Sequence, residues 1–170
     1  AIALCLLSLA LAHGSGSMEA DPVMKITLTT ARKFQSIEHF GASAAWWAQD
    51  IGTWPAERRD AILDLLFDPV RGIGLNLVRY NIGGGKEGSG IPDAWRSAET
   101  PFEPSGVLNW THDAAALSVI DGAVRRGAGV ILFSNSPPSE MTLSGRPTGR
   151  GFQTNLPPDA RQRFAAFLAD

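Results

Sequence analysis

The feature that most constrains this chain is the segment 74–85, in which an apolar strand ends in polar side chains and then in glycine. Successive side chains of a strand point to opposite faces, so Arg79 and Asn81 share one face near its carboxyl end. A second apolar run, 130–133, is followed by Asn135 and two prolines. Buried strands with polar ends, separated by a helix, are typical of a parallel α/β sheet or barrel, which binds ligands at that edge.

Helical patterns separate and follow these strands. Apolar residues recur at helical spacing in 53–68, where Pro55 fits the first turn. A second helix is predicted between Thr111, as its cap, and Gly127, as its left-handed terminator. A third helix is predicted from about residue 159. An alternating edge strand at 24–30 and a weaker strand at 40–47 precede them, so the order is strand and helix in alternation.

The amino-terminal residues carry the pattern of an export signal. Residues 1–12 are apolar, end in Ala-x-Ala and are followed by Gly and Ser, so we interpret them as a signal peptide remnant and 13–23 as a linker. Cys5 lies inside this remnant, which excludes a disulfide framework and a cysteine nucleophile from the rest of the chain. The sequon at Asn109 fits a secreted protein with N-linked glycan at that residue. A buried hydrophobic helix at 1–12 is the alternative.

Composition limits the partners of the protein. The formal net charge is −2, so no basic surface is available for nucleic acid. The apolar run at 1–12 is too short to span a bilayer, and no membrane association is expected once it is removed. With 44% hydrophobic and 19% charged residues, the chain has the composition of a globular domain. The oligomeric state is not predicted.

Several motifs for cofactors, metals and nucleophiles are incomplete in this sequence. Residues 83–88 satisfy G-x-G-x-x-G, yet a dinucleotide site needs this turn to open a helix, and Ser-Gly-Ile-Pro follows instead. Lys86 precedes Glu87, where a Walker A loop needs Ser or Thr. His39 and His112 have no second ligand at metal spacing. No serine-nucleophile elbow occurs. We predict no cofactor and no metal. An α/β enzyme that uses a cofactor is a weaker alternative to the function derived below.

The tryptophans and their polar neighbours indicate a carbohydrate site. Indole faces match the CH faces of sugar rings, and amides or carboxylates bind the hydroxyls, although each tryptophan is equally compatible with a core position. Five tryptophans lie in or beside the loops: Trp46, Trp47, Trp54, Trp95 and Trp110. On one strand the first two would face opposite sides. The candidate substrate-binding residues are Trp47, Asp50, Arg79, Asn81 and Asn135. Glu99 is a further polar residue near the tryptophans in the sequence.

Three motifs, at 40–48, 74–85 and 133–145, resemble glycoside hydrolase family 30, especially its fungal endo-β-1,6-galactanases. The resemblance covers roughly 26–170. It implies an α/β fold, a partial (β/α)8 TIM barrel of about the first three βα units, with 24–30 as one strand of a β-sandwich side domain and 24–170 as the amino-terminal part of the barrel domain. It also implies that Trp47, Arg79, Asn81 and Asn135 line the sugar subsites. Glu140 departs from the family, which usually has an aromatic residue there.

The resemblance also implies a mechanism, which is retaining hydrolysis by two glutamates about 5 Å apart. One follows the fourth barrel strand and the other ends the seventh, so both are expected beyond this chain and none of its residues is assigned as catalytic. Glu87, Glu99 and Glu103 are expected to be solvated or to contact substrate. The function expected is therefore an O-glycosyl hydrolase acting on a β-glycan, of which this chain is a fragment. The alternative is a truncated product that binds carbohydrate without chemistry.

Overall fold

The computed structural model describes residues 25–27, 29, 31–86, 88–149, 151 and 153–169. The chain divides into two units, 1–36 and 37–170. The expected signal remnant and linker, 1–12 and 13–23, lie outside the described residues. Within the expected strand at 24–30, residues 25–27 and 29 belong to no strand, and the other residues of that segment are not described. An alternating sequence forms a strand only when a neighbour pairs with it, and none pairs with these four residues.

A three-stranded parallel sheet is the framework of the unit 37–170. Its strands are β1 (Gly41–Ser43), β2 (Leu77–Ile82) and β3 (Gly129–Ser134), and β2 lies in the middle. The register sets Ser43 beside Arg79 and Asn81 beside Phe133. The three carboxyl ends therefore lie along one edge of the sheet. The α/β class predicted from the sequence is confirmed.

Helices follow each of the strands. The predicted helix at 53–68 is α2, and the helices expected before β3 and at the end of the chain are α3 and α4. Pro55 precedes α2, where its missing N–H costs no hydrogen bond. The helical elements are α1 (Trp47–Ile51), α2 (Ala56–Phe67), α3 (Ala114–Val124) and α4 (Arg161–Ala169). Among the described helices none has the length and apolarity needed to cross a membrane.

The core lies between one face of β2 and the helices α2 and α3. Val78 of β2, Val119 of α3 and Leu63 of α2 are completely buried, and Tyr80 is nearly so. Because side chains alternate along β2, burying Val78 and Tyr80 on this face leaves Arg79 and Asn81 on the other. The helical layer thus fixes which side chains of β2 are available to a ligand.

Two features at the end of α3 hold it against α2 and turn the chain into β3. The Arg126 guanidinium donates from Nε to Oδ1 of Asp64 at 2.7 Å and from Nη1 to the carbonyl of Gly122 at 2.8 Å. Gly127 follows with a φ of +91°, a left-handed conformation that glycine adopts without strain. Gly127 therefore terminates α3 as the sequence predicts.

The end of one strand and parts of the helical stripes differ from the sequence expectation. The strand expected over 40–47 ends at Ser43, because Trp47 already begins α1. The apolar residues at helical spacing include Leu65, Val124 and Leu168, which are all exposed. In α2 the buried side chains are Leu63 and Phe67, on either side of Leu65. A helix packs on one angular face, so a stripe assigned one residue out of phase points partly to solvent.

A close approach of α1 and α3 generates a stability prediction. A Cβ at Gly52 would lie 2.0 Å from the backbone oxygen of Ala115, which cannot move without displacing α3. We expect Gly52→Ala to lower the free energy of unfolding by about 1–3 kcal/mol, as overpacking in a tight interior does. At Gly149 the nearest atom, the oxygen of Gly151, is 3.8 Å away, so Gly149→Ala is the matched control. Urea unfolding midpoints measure both, and equal midpoints for the two variants would contradict the packing described.

Candidate functional site

Asn81 and Asn135 meet at the carboxyl edge of the sheet. Both line one small cavity of about 30 Å³, together with Trp46, Arg96 and the glycines that follow β2. Asn81 is 95% buried, whereas Asn135 is exposed. The glycines after β2 let neighbouring loops pack closely, since a Cβ at Gly83 would clash with the backbone of Glu99 and one at Gly84 with the carbonyl of Pro137. Two amides that converge on one cavity suit the binding of sugar hydroxyls, since each can donate and accept.

An aromatic hollow adjoins this cavity. It has a volume of about 350 Å³ and is lined by Trp46, Trp47, Trp95, Asp50 and Ala45. Trp46 lines both spaces. The peptide bond between Ala45 and Trp46 is cis. The expectation that Trp46 and Trp47 face opposite sides of a strand is wrong, because the chain has already left β1 and both rings line the same hollow.

Trp47 is anchored by its own indole. Nε1 donates to the carbonyl oxygen of Ser43 at 2.7 Å, which ties the start of α1 to the end of β1. The hydrogen bond satisfies the one polar atom of the ring and leaves its faces for packing or stacking. Asp50, one turn later on α1, is exposed at the rim of the hollow. Trp47 and Asp50, both predicted binding residues, therefore line the same hollow.

Arg79 occupies a third position, on the face of the sheet opposite the core. Its Nε and Nη2 donate to the hydroxyl of Ser43 at 3.2 and 3.0 Å, and its Cζ lies 4.4 Å from the centre of the Phe133 ring. With Leu77 and Ile131 it lines a hollow of about 340 Å³. The guanidinium thus bridges all three strands. It is a preorganised cation for an anionic or oxygen-rich group on that face.

The five predicted binding residues thus occupy three spaces, of which two share Trp46. Trp54 and Trp110 are 39% and 44% exposed, after α1 and in the loop before α3 respectively. The sequence groups all five tryptophans. Position along the chain does not decide which rings converge, because that depends on the turn at 44–47 and on the 3₁₀ turn Ala94–Arg96.

A larger groove lies between the loop after β2 and the turn after β3. Its volume is about 810 Å³. Charged and aromatic side chains line it together with short polar residues: Lys86, Glu99, Thr100, Phe102, Glu103, His112, Ser139 and Glu140. The sequence analysis expects Glu99 and Glu103 to be solvated or to contact substrate and does not bring them together with Glu140. We call this space the acidic groove.

The walls of the acidic groove are held by hydrogen bonds and ring contacts. The Ser139 N–H donates to the carbonyl of Gly84 at 3.0 Å, which joins the two loops. His112 Nδ1 lies 2.9 Å from the carbonyl oxygen of Thr100, which fits an Nδ1–H donor. The Phe102 ring packs edge to face on Phe167 of α4, with centroids 5.7 Å apart. These contacts give the groove a fixed shape without a ligand.

A buried pair connects the acidic groove to β2. The Tyr80 hydroxyl donates to Oδ2 of Asp113 at 2.9 Å, and the Asp113 N–H donates to Oε2 of Glu99 at 2.9 Å. Burial raises the pKa of Asp113 to about 6, the Tyr80 hydrogen bond opposes this, and the nearby charge of Glu99 adds to it. Burial, and then the Asp113 charge, also raise the pKa of Tyr80. No sequence motif indicates the hydrogen bond between Tyr80 and Asp113.

Asn109 lies beside the acidic groove. Its Nδ2 donates to Oε1 of Glu103 at 2.8 Å, and its Oδ1 accepts the Thr111 hydroxyl at 2.6 Å. Thr111 is therefore engaged by Asn109 and does not cap α3, contrary to the sequence expectation. Asp113, with a φ of 58°, directly precedes α3 instead.

An α/β protein whose parallel strands end in amides, an arginine and indoles belongs to the class that binds ligands at the carboxyl edge of the sheet. Comparison with known proteins identifies the family within this class. The sequence model of O-glycosyl hydrolase family 30 matches residues 23–170. An endo-β-1,6-galactanase from Hypocrea rufa is 30% identical over an alignment of length 189, and the alignment covers 96% of this chain and 38% of the relative's own length. The chain belongs to glycoside hydrolase family 30.

Solved structures agree with this assignment. A conserved exported protein from Bacteroides fragilis superimposes with a TM-score of 0.75 and 31% identity, over 83% of this chain and 32% of that protein. A family 30 subfamily 8 xylanase from Clostridium acetobutylicum superimposes with a TM-score of 0.52 and 28% identity, over 82% of this chain and 28% of the xylanase. This chain thus spans about a third of the length of the relatives it matches.

The buried Asp113 carboxyl generates a prediction about pH. Its pKa is raised above that of an unfolded aspartate, so its stabilising contribution is complete below about pH 4 and is lost as the pH rises through 6. We expect the free energy of unfolding to fall by about 3 kcal/mol between pH 4 and 7 through this group. Asp113→Asn should remove that part of the decline, since Asn accepts the Tyr80 hydrogen bond without ionising and tolerates a positive φ.

Chemical denaturation at several pH values measures this dependence. The exposed Asp159 provides the matched control, and Asp159→Asn should keep the decline of the parent protein. A parent protein whose stability does not change between pH 4 and 7, or an Asp113→Asn variant with the same decline, would show that this carboxyl is not buried as described.

Proposed function

We propose that the protein carrying this chain is a retaining O-glycosyl hydrolase of the endo-β-1,6-galactanase type, acting on a β-glycan. The observation that carries the proposal is the convergence of Asn81, Asn135 and Trp46 on one cavity at the carboxyl edge of a family 30 sheet. The identity to the Hypocrea rufa galactanase favours a β-1,6-galactan among the glycans that the family could cleave.

Each predicted binding residue has a role in this proposal. Trp47 and its neighbour Trp46 stack on the CH faces of a sugar ring, and Asp50 accepts a hydroxyl at the rim of the same hollow. Asn81 and Asn135 bind hydroxyls at the sheet edge. These contacts hold the glycan in one orientation before chemistry, which is how binding groups contribute to rate.

Arg79 is proposed to organise the reacting centre. In the described residues its guanidinium is bonded to the uncharged hydroxyl of Ser43 and carries no ion pair. A carboxylate brought to this face by another part of the protein would be favoured in its ionised form by the arginine. This suits a carboxylate that acts as a nucleophile in retaining hydrolysis.

The two catalytic glutamates are proposed to lie outside this chain, in the later units of a (β/α)8 TIM barrel to which it contributes the first three. The apolar side chains of β3 support this arrangement. Ile131 and Leu132, on opposite faces of β3, are 47% and 63% exposed. Further strands and helices of a barrel would cover both faces and pair with the open side of β3.

The alternative proposal is a protein that binds carbohydrate without cleaving it. It would use the aromatic hollow and the paired amides in the same way. These groups support it because they can bind a sugar without any catalytic acid. It differs from the main proposal in one respect, since its complete form would release no reducing ends from the glycan.

Export and glycosylation complete the proposal. The match to an exported Bacteroides fragilis protein supports a secreted enzyme, whose partner is a polysaccharide or oligosaccharide. N-linked glycan at Asn109 would leave one N–H on Nδ2 for the hydrogen bond to Glu103 and would replace the contact of that nitrogen with Nε2 of His112 at 3.4 Å.

Hydrolysis of β-1,6-galactan tests the proposal. We expect the complete protein to release reducing ends, the segment 1–170 to release none, and Arg79→Ala in the complete protein to lower kcat/KM by about a hundredfold or more, on the order of 3 kcal/mol. Val70→Ala, at an exposed position after α2, is the control. Activity of the segment alone that is abolished by replacing one of its own acids would refute the assignment of the catalytic pair to other residues.

A further inference from the structure

The Arg79 side chain is held by groups from both neighbouring strands. On the β1 side, the Ser43 hydroxyl accepts from Nε at 3.2 Å and from Nη2 at 3.0 Å. On the β3 side, the Phe133 ring lies against the guanidinium, whose Cζ is 4.4 Å from the ring centre. The hydroxyl engages one edge of the guanidinium, and the ring supports its charged centre. Arg79 therefore cannot turn without losing a contact on one side of β2 or the other.

The bonds to Ser43 decide which edge of the guanidinium is available to a ligand. A guanidinium binds a carboxylate bidentately through two parallel N–H groups, which come either from Nε and Nη2 or from Nη1 and Nη2. The Ser43 hydroxyl occupies the first of these edges. In the part of the chain that the structure describes, the second edge has no carboxylate partner, so its N–H groups remain for another ligand.

The hollow beside Arg79 makes the direction of these N–H groups important. It has a volume of about 340 Å³ and is lined by Leu77, Ile131 and residues 41–43, with Arg79 as the one charged residue among the described residues that line it. A hydrogen bond or charge contact is stronger beside apolar groups than in water. The edge that Arg79 presents therefore determines where a carboxylate binds on this face of the sheet.

We propose that Ser43 and Phe133 are positioning residues, which hold Arg79 with its Nη1–Nη2 edge toward the nucleophilic carboxylate of the reacting centre. This inference rests on the proposed function and assigns the orientation of Arg79 to two residues that need not touch the substrate. Without the Ser43 hydroxyl, the Nε–Nη2 edge would be free to bind the carboxylate instead and would draw it away from the sugar carbon. A small displacement of a reacting group lowers the rate steeply.

Removal of the Ser43 hydroxyl leaves the frame of the site in place. The Ala44 N–H donates to the Arg79 carbonyl at 2.9 Å, and the Trp47 indole donates to the Ser43 carbonyl at 2.7 Å, so both bonds use backbone oxygens. The hydroxyl oxygen also accepts the Ala45 N–H at 3.3 Å, which supports the turn before α1. A double-mutant cycle separates an effect through Arg79 from an effect through this turn.

The cycle is measured on the complete protein with a β-1,6-galacto-oligosaccharide as substrate. We expect Ser43→Ala to lower kcat/KM by about tenfold, mostly through kcat, in the parent protein and by less than about twofold in an Arg79→Ala background. Phe133→Leu, which removes the ring and keeps an apolar side chain, should lower kcat/KM by about fivefold in the parent and again by less than about twofold without Arg79. A residue that acts only through Arg79 has no effect once the guanidinium is absent.

Ser118→Ala is the matched control. Ser118 is a half-buried serine of α3 whose hydroxyl donates to the backbone carbonyl of Ala115 at 2.7 Å, and it does not line the hollow beside Arg79. Its replacement should leave kcat/KM within about a factor of two in both backgrounds. If one of the two test variants fails to fold, as judged by its melting temperature, the other decides.

Two kinds of failure are distinguishable. Losses of equal size with and without Arg79, or a loss below about twofold in the parent, refute the inference while the proposed hydrolase stands. A complete protein that cleaves no β-1,6-galacto-oligosaccharide refutes the proposed function and the inference with it.

Discussion

The central constraint in this structure is the pairing of β2 with a parallel neighbour on each side. That pairing fixes the rotation of β2, and Val78 and Tyr80 then enter the core against α2 and α3. A slip of one residue would exchange the faces, sending Arg79 and Asn81 into an apolar core that cannot solvate them. The hydrophobic face of β2 therefore positions the polar face, and the site depends on packing that lies behind it.

Strong local signals make the sheet and its edge predictable. The apolar runs at β2 and β3, the proline before α2 and the glycine after α3 each act over a few residues, and the structure follows all four. The polar ends of parallel strands necessarily share an edge, so the sequence alone places Asn81 and Asn135 together. The resemblance to family 30 is confirmed. Two of the motifs that carry it include the carboxyl ends of β2 and β3.

The contacts between loops could not be predicted. The sequence assigns Trp46 and Trp47 to a strand because β1 is short and continues with small and aromatic residues, and nothing local marks its end at Ser43. The Tyr80–Asp113 pair joins residues 33 positions apart in the chain. Such contacts depend on the path of the 83–113 connection, which periodicity does not encode.

The central proposal is that the carboxyl edge of this sheet binds sugar. A crystal structure of the complete protein with a β-1,6-linked galacto-oligosaccharide tests this most directly. We predict hydroxyls within hydrogen-bond distance of the Asn81 and Asn135 amides and a sugar ring stacked on Trp46 or Trp47. An oligosaccharide bound in the reacting centre without contact to any of these four side chains would contradict the proposal.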